Sequence, residues 1–381
     1  MFILFYITVA LLLMYGILIG YYHYAWKNIP EFSPKNFTGW KGNTKITVII
    51  PARNEENNIL HCLNSLVRQT YPLELLEIIV VNDHSTDNTE ELVKNFPAIN
   101  VKLINLSDYT HGKLLNSYKK KAIEVAVAAA KGELIVTTDA DCTSSPDWIK
   151  CLAAYQELTH AALIVAPVKI ESASSVLSIF QSVDFLTLQG ITGASVSVKF
   201  HSMCNGANLT YEKKAFYEVG GFKNIDDIAS GDDMLLMHKI VSRYPDRFFF
   251  VKAAAAIVTT QAASSWKAFL QQRIRWASKA DKYNDKRIFI VLLMVYLLNL
   301  CLLVFLVAGL WNRIWSFFFL ILLIGKTILE YSFIRNVAVF FKQHRLMVYF
   351  PFLQPLHIFY TVIAGWLGKF GSYEWKSRKV K

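Results

Sequence analysis

Asp139-Ala140-Asp141 sets two carboxylates side by side, directly after Glu133 to Thr138, an apolar run that reads as a strand. Carboxylates so spaced hold a divalent cation through oxygen ligands against the phosphates of a substrate. Two more polar clusters follow strand-like segments, Pro51 to Glu55 after KITVII and Asn82-Asp83 after EIIVV. In open α/β sheets ligands bind beyond the carboxyl ends of the strands, so the three clusters are expected to converge on one cleft. Other chemistries lack their residues. Cys62, Cys142, Cys151, Cys204 and Cys301 form no C-x-x-C pair, and His84, His201 and His238 are not spaced to share a metal. No G-x-G-x-x-G follows the first strand, and the Gly-Lys-Thr at Gly325 lacks the upstream glycine of a phosphate-binding loop.

Strand-like and helix-like segments alternate around these clusters, the pattern of a mostly parallel sheet with helices on both faces. Lys45 to Ile50 reads as a first strand stopped by Pro51, Asn54 to Val67 as a helix, and Glu77 to Val81 as the next strand. Asp87 or Asn88 is placed to cap a helix running toward Phe96. Val101 to Leu106 makes a third strand. Tyr118 to Lys131 is alanine-rich and helical, with Gly132 as its C-cap, and Glu133 to Thr138 is the fourth strand.

The 381 residues are 54% hydrophobic and only 18% charged, and the apolar excess gathers at the two ends, which points to a membrane protein with a soluble middle. Met1 to Tyr22 is long enough to cross a bilayer and reads as an anchor rather than a signal peptide, having no basic leader and no small-x-small cleavage site. Ile288 to Leu310 and Ile314 to Ile334 read as a hairpin of two spans. Leu346 to Gly368, interrupted by Pro351 and Pro355, is open between a spanning, a broken and an interfacial helix. Lys27, Lys35, Lys41 and Lys45 follow the first span, and Lys286, Arg287 and Arg335 flank the hairpin. The positive-inside rule then places the middle in the cytoplasm, the N-terminus outside, and the chain in a cell inner membrane. The net charge of +11 is explained by anionic lipid head groups, with no nucleic acid among the partners. Lys326 and Glu330 fall one turn apart inside a span, either as a local ion pair, as snorkelling side chains, or in a functional role.

Taken together, VIIPARNEE, VVNDHSTDNT, GELIVTTDADC, GANLTY, GDDMLL and QQRIRW, in this order from about Lys45 to Trp276, resemble a membrane-bound family-2 glycosyltransferase. The motifs resemble those of ceramide glucosyltransferase-like enzymes and of cellulose, chitin and hyaluronan synthases. The resemblance implies a GT-A nucleotide-sugar-binding domain over residues 25–286, between an anchor at 1–24 and a membrane region at 287–381, with Mg²⁺ or Mn²⁺ as cofactor. By the same resemblance Pro51, Arg53 and Glu55 line the nucleoside pocket, and Asp83 accepts from the base or ribose. Asp139 contacts the nucleotide sugar, Asp141 ligates the metal with Asp139 beside it, and Lys119 meets the phosphates. Gly206, Ala207 and Asn208 form the acceptor-side loop. Asp232-Asp233 stands where the family has Glu-Asp, with Asp233 as general base. In the Q-x-x-R-W motif Gln272 serves the donor, Arg275 the diphosphate, and Trp276 walls donor and acceptor.

The physical demands agree: an inverting transfer needs a carboxylate to take the acceptor's proton and positive charge to neutralise the departing diphosphate. The reaction so implied moves a sugar from a UDP-linked donor to a lipid acceptor at the membrane, because the few spans leave little wall for a polymer channel. The alternatives are a processive polysaccharide synthase that extends a β-linked glycan, which Q-x-x-R-W permits, and a catalytically silent membrane scaffold. A transporter lacks the expected repeated half. The sugar, the protein partners and the oligomeric state leave no trace in the sequence.

Overall fold

The structure, a computed structural model, describes residues 2–110, 112, 115–171, 175–200, 203–226, 228, 231–279, 285–371, 373–375 and 378–380. They gather into two compact units. One comprises Pro30–Lys169 and Ser202–Gln261, the other Met1–Ile29, Ile170–His201 and Ala262–Lys381.

The first unit is built on strands β1 (Ile46–Ala52), β2 (Leu76–Asn82), β3 (Val101–Asn105), β4 (Leu134–Thr137), β5 (Thr143–Ser144), β6 (Leu163–Val165), β7 (Val168–Ile170), β8 (Leu209–Glu212), β9 (Phe248–Phe250) and β10 (Val258–Thr260). Seven form a mixed sheet of order β3-β2-β1-β4-β8-β6-β9, and β5, β10 and β7 form a small second one. β1, β2, β3 and β4 run parallel, β8 runs against both neighbours, and β6 and β9 are parallel. Val48, Ile49 and Ile50 are wholly buried, as expected of a strand covered on both faces.

Pro51 does not stop β1 as expected. The strand pairs with β2 as far as Ala52↔Asn82, while β4 pairs only up to Ile49, so the missing Pro51 N–H lies past the last rung of that ladder. Strand order reverses direction at β1, whose neighbours are the second and fourth strands. The topological switch point, and the crevice it opens at the carboxyl ends, therefore lies between β1 and β4.

The anchor helix of the other unit is α1 (Phe2–Asn28). Around the sheet lie α2 (Ile59–Val67), α3 (Thr89–Lys94), the single turn α4 (Ser107–Thr110), α5 (Tyr118–Ala129) and α6 (Trp148–Thr159). The α2 helix starts five residues later than expected, because Asn54 takes a left-handed backbone (φ 52°) and the next residues turn. Asp87, not Asn88, supplies the cap of α3: its Oδ1 accepts from the Thr89 N–H at 3.1 Å. Gly132 is not a C-cap either. Its N–H donates to Thr47 Oγ1, and a Cβ there would sit 2.4 Å from the Thr47 nitrogen, so the residue is glycine because α5 leaves against β1.

Glu77 ties the amino ends of this sheet together. It accepts from Thr47 Oγ1 (2.8 Å), the Lys131 N–H (2.8 Å) and Lys102 Nζ (2.5 Å). Burial alone would raise its carboxyl, but Lys102, the Lys131 amide and Thr47 outweigh it and hold it below the usual range. A group depressed on folding stabilises the fold above its unfolded pKa, about 4.3, and loses that contribution as pH falls through the folded value. Glu77→Gln is therefore expected to cost about 1–2 kcal/mol at pH 7. Melting temperatures measured against pH should start to approach wild type below the unfolded value, about 4.3, and converge as pH falls through the lowered folded one.

In the second unit, α7 (Val176–Ser197) precedes the break in sequence, and α8 (Lys213–Glu218) and α9 (Asp232–Arg243) return to the first. Then come α10 (Trp266–Ala277), α11 (Lys286–Ala308), α12 (Arg313–Phe340), α13 (Phe350–Phe370) and a short pair of strands, β11 (Tyr373–Trp375) and β12 (Arg378–Val380). Among the described residues four helices are long and apolar enough to cross a membrane: α1, α11, α12 and α13. The α13 stretch is one unbroken helix. Pro351 sits in its first turn, where no N–H is needed, and Pro355 is absorbed inside.

Lys326 and Glu330 form the local ion pair, at 2.7 Å, and neither snorkels: they are 0% and 4% exposed. Lys326 also donates to Gln354 Oε1 at 2.8 Å, while Glu330 accepts from the Tyr15 hydroxyl and the Gln354 amide. The pair thus knits α1, α12 and α13.

Candidate active site

At the carboxyl end of β1, Asn54 accepts from the Thr86 N–H (2.8 Å), and its own N–H donates to Ser85 Oγ (3.1 Å). The Glu55 N–H donates to Thr89 Oγ1 at 2.7 Å, and Arg53 Nη1 donates to the carbonyls of Asp83 (2.9 Å) and His84 (3.1 Å). The loops after β1 and β2 are thereby zipped together. His84 holds a left-handed backbone (φ 53°), and its Nδ1 lies 3.0 Å from Asp83 Oδ1. Left-handed non-glycine residues are uncommon and concentrate at functional sites. Here Asn54 and His84 face each other's loops across the zipper. Asp83 is 3% exposed and Pro51, Arg53 and Glu55 are partly exposed, so this end of the sheet is open at β1 and closed at β2.

One strand further, Asp139 and Asp141 emerge from β4. Lys119 Nζ donates to Asp139 Oδ1 at 2.7 Å and stands 3.5 Å from Asp232 Oδ2. Of the three consecutive lysines Lys119 is the one in the cluster. Lys120 is buried on the carbonyls of Ile225 and Ile228, and Lys121 pairs with Glu124 on the surface. Burial opposes the Lys119 charge, yet Asp139, then Asp232 and Asp233, more than compensate and raise its pKa, so it stays protonated.

Asp232 and Asp233 open α9. The Gly206 N–H donates to Asp233 Oδ2 at 2.9 Å, and the Met234 N–H to Asp233 Oδ1 at 2.7 Å. Asp233 therefore satisfies the N–H of the next residue in the first turn of its own helix and reaches the Gly206 loop. A Cβ on Gly206 would come 3.3 Å from that of Asp233, so the close approach of loop and helix is made possible by glycine. Thr137 Oγ1 donates to the Gly206 carbonyl at 2.9 Å, fixing the same loop to β4. Asn208 is fully buried: its amide nitrogen donates to the carbonyls of Pro167 and Ala256, and its oxygen accepts from Trp148 Nε1. That side chain braces the loop from beneath and offers nothing to a ligand. Gly206 and Ala207 are buried too, so the loop turns toward the cleft only through its backbone and its neighbours.

Asp141 is tethered to β10. Thr260 Oγ1 donates to its Oδ2 at 3.1 Å, and the Cys142 thiol lies 3.5 Å from Oδ1. Burial first, then Asp139 and Glu55, push its carboxyl up to about 6. A divalent cation suits that set, since it would relieve the repulsion among Asp139, Asp141 and Glu55 through hard oxygen ligands. Among the described residues no three His, Cys, Asp or Glu side chains are grouped to hold a metal, so two carboxylates alone leave coordination positions to be filled by a ligand's oxygens. Cys62 and Cys142, beside this acid pair, are free and buried, and burial pushes both thiols up, which makes them inert packing.

The structure brings together, within one unit, Arg53, Glu55, Asp83, Lys119, Asp139, Asp141, Gly206, Asp232 and Asp233. Gln272, Arg275 and Trp276 lie on α10, which belongs to the other unit. His201 lies outside the described residues, and His238 is buried on α9. Thr260, from the far end of the unit, is a contact no sequence signal announces, because 119 residues separate it from Asp141.

The profile described as "Glycosyl transferase family 2" matches residues 47–218, and "Glycosyl transferase family group 2" matches residues 134–365, more than half of the chain. The chain is similar to "Probable glycosyltransferase YdaM" of Bacillus subtilis (strain 168), 29% identical over 292 residues, covering 72% of this chain and 65% of that one. It is also similar to the "Poly(ribitol-phosphate) beta-N-acetylglucosaminyltransferase TarS" of Staphylococcus aureus, 31% identical over 126 residues, 33% of this chain and 21% of that protein. The chain thus spans less than two thirds of either relative. Among solved structures, the mannosyltransferase PcManGT from Pyrobaculum calidifontis, in complex with GDP-Man and Mn²⁺, superposes with a TM-score of 0.60 at 18% identity, covering 93% of this chain and 99% of that one. With the GT-A fold shared, and the family profile reaching from the sheet into the long apolar helices, the chain belongs to the family 2 glycosyltransferases.

Proposed function

We propose that the protein is an inverting glycosyltransferase that moves a sugar from a nucleotide-diphosphate donor, UDP-linked by preference, onto a lipid acceptor at the cytoplasmic face of a membrane. The observation that carries the reading is Lys119, which links Asp139 on the expected donor side to Asp232 on the expected acceptor side in one ionic cluster at the switch point of the sheet.

In this reading Arg53 and Glu55 border the nucleoside, with Asp83 beneath them, and the loop zipper keeps that pocket formed before the donor arrives. Asp141 and Asp139 would hold Mg²⁺ or Mn²⁺, which supplies charge neutralisation for the departing diphosphate. Lys119 adds a fixed positive charge beside the same phosphates. Asp233 takes the proton of the acceptor hydroxyl as that oxygen attacks the anomeric carbon from the face opposite the diphosphate. Gly206 presents the acceptor-side loop at van der Waals distance from that acid. Gln272, Arg275 and Trp276 of α10 are assigned to donor, diphosphate and acceptor wall. Two findings about other proteins support the reading: PcManGT is described with GDP-Man and Mn²⁺, and TarS is named as a β-N-acetylglucosaminyltransferase. A first span running outside-to-inside and a catalytic unit on the cytoplasmic side are the reading that the basic flanks of α11 and α12 support under the positive-inside rule.

The test is diphosphate release by purified full-length protein against a panel of UDP-, GDP- and other nucleotide sugars, with and without Mn²⁺, followed by sizing of the product. One donor should support release, a chelator should abolish it, and lipid should gain a single sugar. A ladder of oligomers would replace the lipid acceptor with processive synthesis. Silence toward every donor, with the protein folded, would leave the scaffold.

A further inference from the structure

Helix α7 carries no motif, yet it presents four buried side chains along one face, Phe180, Gln181, Asp184 and Phe185. All of them meet α10, α13 or the segment leading into α10, inside the same compact unit. Gln181 closes a two-bond ring with the backbone of Ala263: its Nε2 donates to the carbonyl at 3.0 Å, and its Oε1 accepts from the N–H at 2.8 Å. One turn on, Asp184 Oδ2 accepts from Arg273 Nε at 3.0 Å and Nη2 at 2.5 Å. The other oxygen of Asp184 accepts from the Tyr360 hydroxyl and lies 3.9 Å from His357 Nε2.

Arg273 is one of the two unspecified residues of Gln272-Arg273-Ile274-Arg275-Trp276. Its guanidinium stands 4.2 Å from the ring centroid of Trp276 and 4.6 Å from that of Phe269. Its Nη1 donates to Gln272 Oε1 at 2.9 Å. One arginine therefore touches both outer residues of the motif, and one aspartate holds that arginine. A planar guanidinium with five donors can grip a carboxylate edge-on, stack on an indole and still bond an amide; an ammonium cannot do all three. Committing the Gln272 oxygen to Arg273 leaves the amide nitrogen as the group this residue offers a ligand, and the stacked guanidinium fixes the plane of the Trp276 ring.

We propose that Asp184 is a positioning residue for transfer, acting through Arg273 to hold the Gln272 amide and the Trp276 ring in one working orientation. The proposal rests on the glycosyltransferase reading above, in which Gln272 and Trp276 face donor and acceptor. Burying a charged pair costs desolvation that an apolar pair of the same volume avoids, so a purely structural contact would not call for it. What the pair adds is direction: two fixed N–H vectors and a fixed plane.

The test uses the full-length protein in detergent, with the donor found by the panel, and compares Asp184→Asn, Arg273→Lys and their double variant. Arg273→Lys keeps the ion pair and loses the fork, so it remains informative if Asp184→Asn folds poorly. At a temperature well below each variant's own melt, both singles are expected to lower kcat between about 10- and 100-fold, the range a small misplacement of a positioning group produces. The double should be no worse than the poorer single. Independently of activity, Asp184→Asn should alter tryptophan emission in the wild-type background and not in a Trp276→Phe background. Variants that melt earlier but keep wild-type kcat and emission overturn the proposal, as do effects that simply add. A wild type inactive toward every donor counts instead against the transferase reading, and the emission comparison then decides alone whether the clamp orients Trp276.

Discussion

Replacing Asp233 by asparagine is expected to lower kcat for sugar transfer by about 10²–10⁴-fold while nucleotide binding survives. The geometry makes this substitution unusually clean. Asp233 Oδ2 accepts from the Gly206 N–H and Oδ1 from the Met234 N–H, and an asparagine keeps one of those acceptors while losing the basic charge. One N–H contact is lost, but Thr137 still holds the Gly206 loop to β4, so the local fold should persist while the capacity to take a proton disappears. Asp232 differs in its surroundings, being 11% exposed and 3.5 Å from Lys119. Its neutralisation to asparagine should loosen Lys119 and raise the donor KM before it touches kcat. Initial rates of diphosphate release at saturating donor, with calorimetric nucleotide binding on the same preparations, separate the two outcomes. If Asp232→Asn loses turnover and Asp233→Asn loses only affinity, the general base moves one residue toward the N-terminus. Asp141→Ala belongs to the same series, and its binding defect should appear only when Mn²⁺ is present.

The strands were legible because their residues leave little choice. Val48 to Ile50 and Ile78 to Val81 are continuous apolar runs of strand length, and both are buried on two faces. The placement of Asp139 and Asp141 followed from the end of such a run, since a polar pair that closes a buried strand must stand at the edge of the sheet. What sequence reasoning could not see were long-range partners and reversals of periodicity. Thr260 reaches Asp141 through tertiary folding alone. Arg273, a basic side chain that patterning alone would leave in solvent, is 5% exposed, because Asp184, 89 residues earlier, supplies the countercharge that lets it turn inward. Asn208 sits in a motif expected to face the acceptor and is instead consumed by three internal hydrogen bonds. In each case a polar residue found a buried partner far away in the chain, and single-residue patterning carries no record of such partners.

Lys326→Met should strongly destabilise the unit that holds α1, α12 and α13, by about 3–5 kcal/mol, and a second substitution should recover most of it. Lys326 is wholly enclosed, and Glu330 beside it is 4% exposed. Removing the lysine leaves an enclosed carboxylate whose hydrogen-bond donors are the neutral Tyr15 hydroxyl and Gln354 amide, with the His357 ring close by. Two neutral donors help a buried charge but do not cancel it. Exchanging Glu330 for glutamine in the same protein removes the charge while keeping an amide oxygen for Tyr15 or Gln354, so Lys326→Met/Glu330→Gln should melt much closer to wild type than Lys326→Met alone. Thermal melts of the three proteins in one detergent give the answer directly. Should Lys326→Met melt normally, water must reach Glu330, and the enclosed ion pair would have to be reinterpreted as lining a wet cavity. If the double variant is instead as unstable as the single, the hydrogen-bond geometry among α1, α12 and α13, rather than the balance of charge, is what that junction depends on.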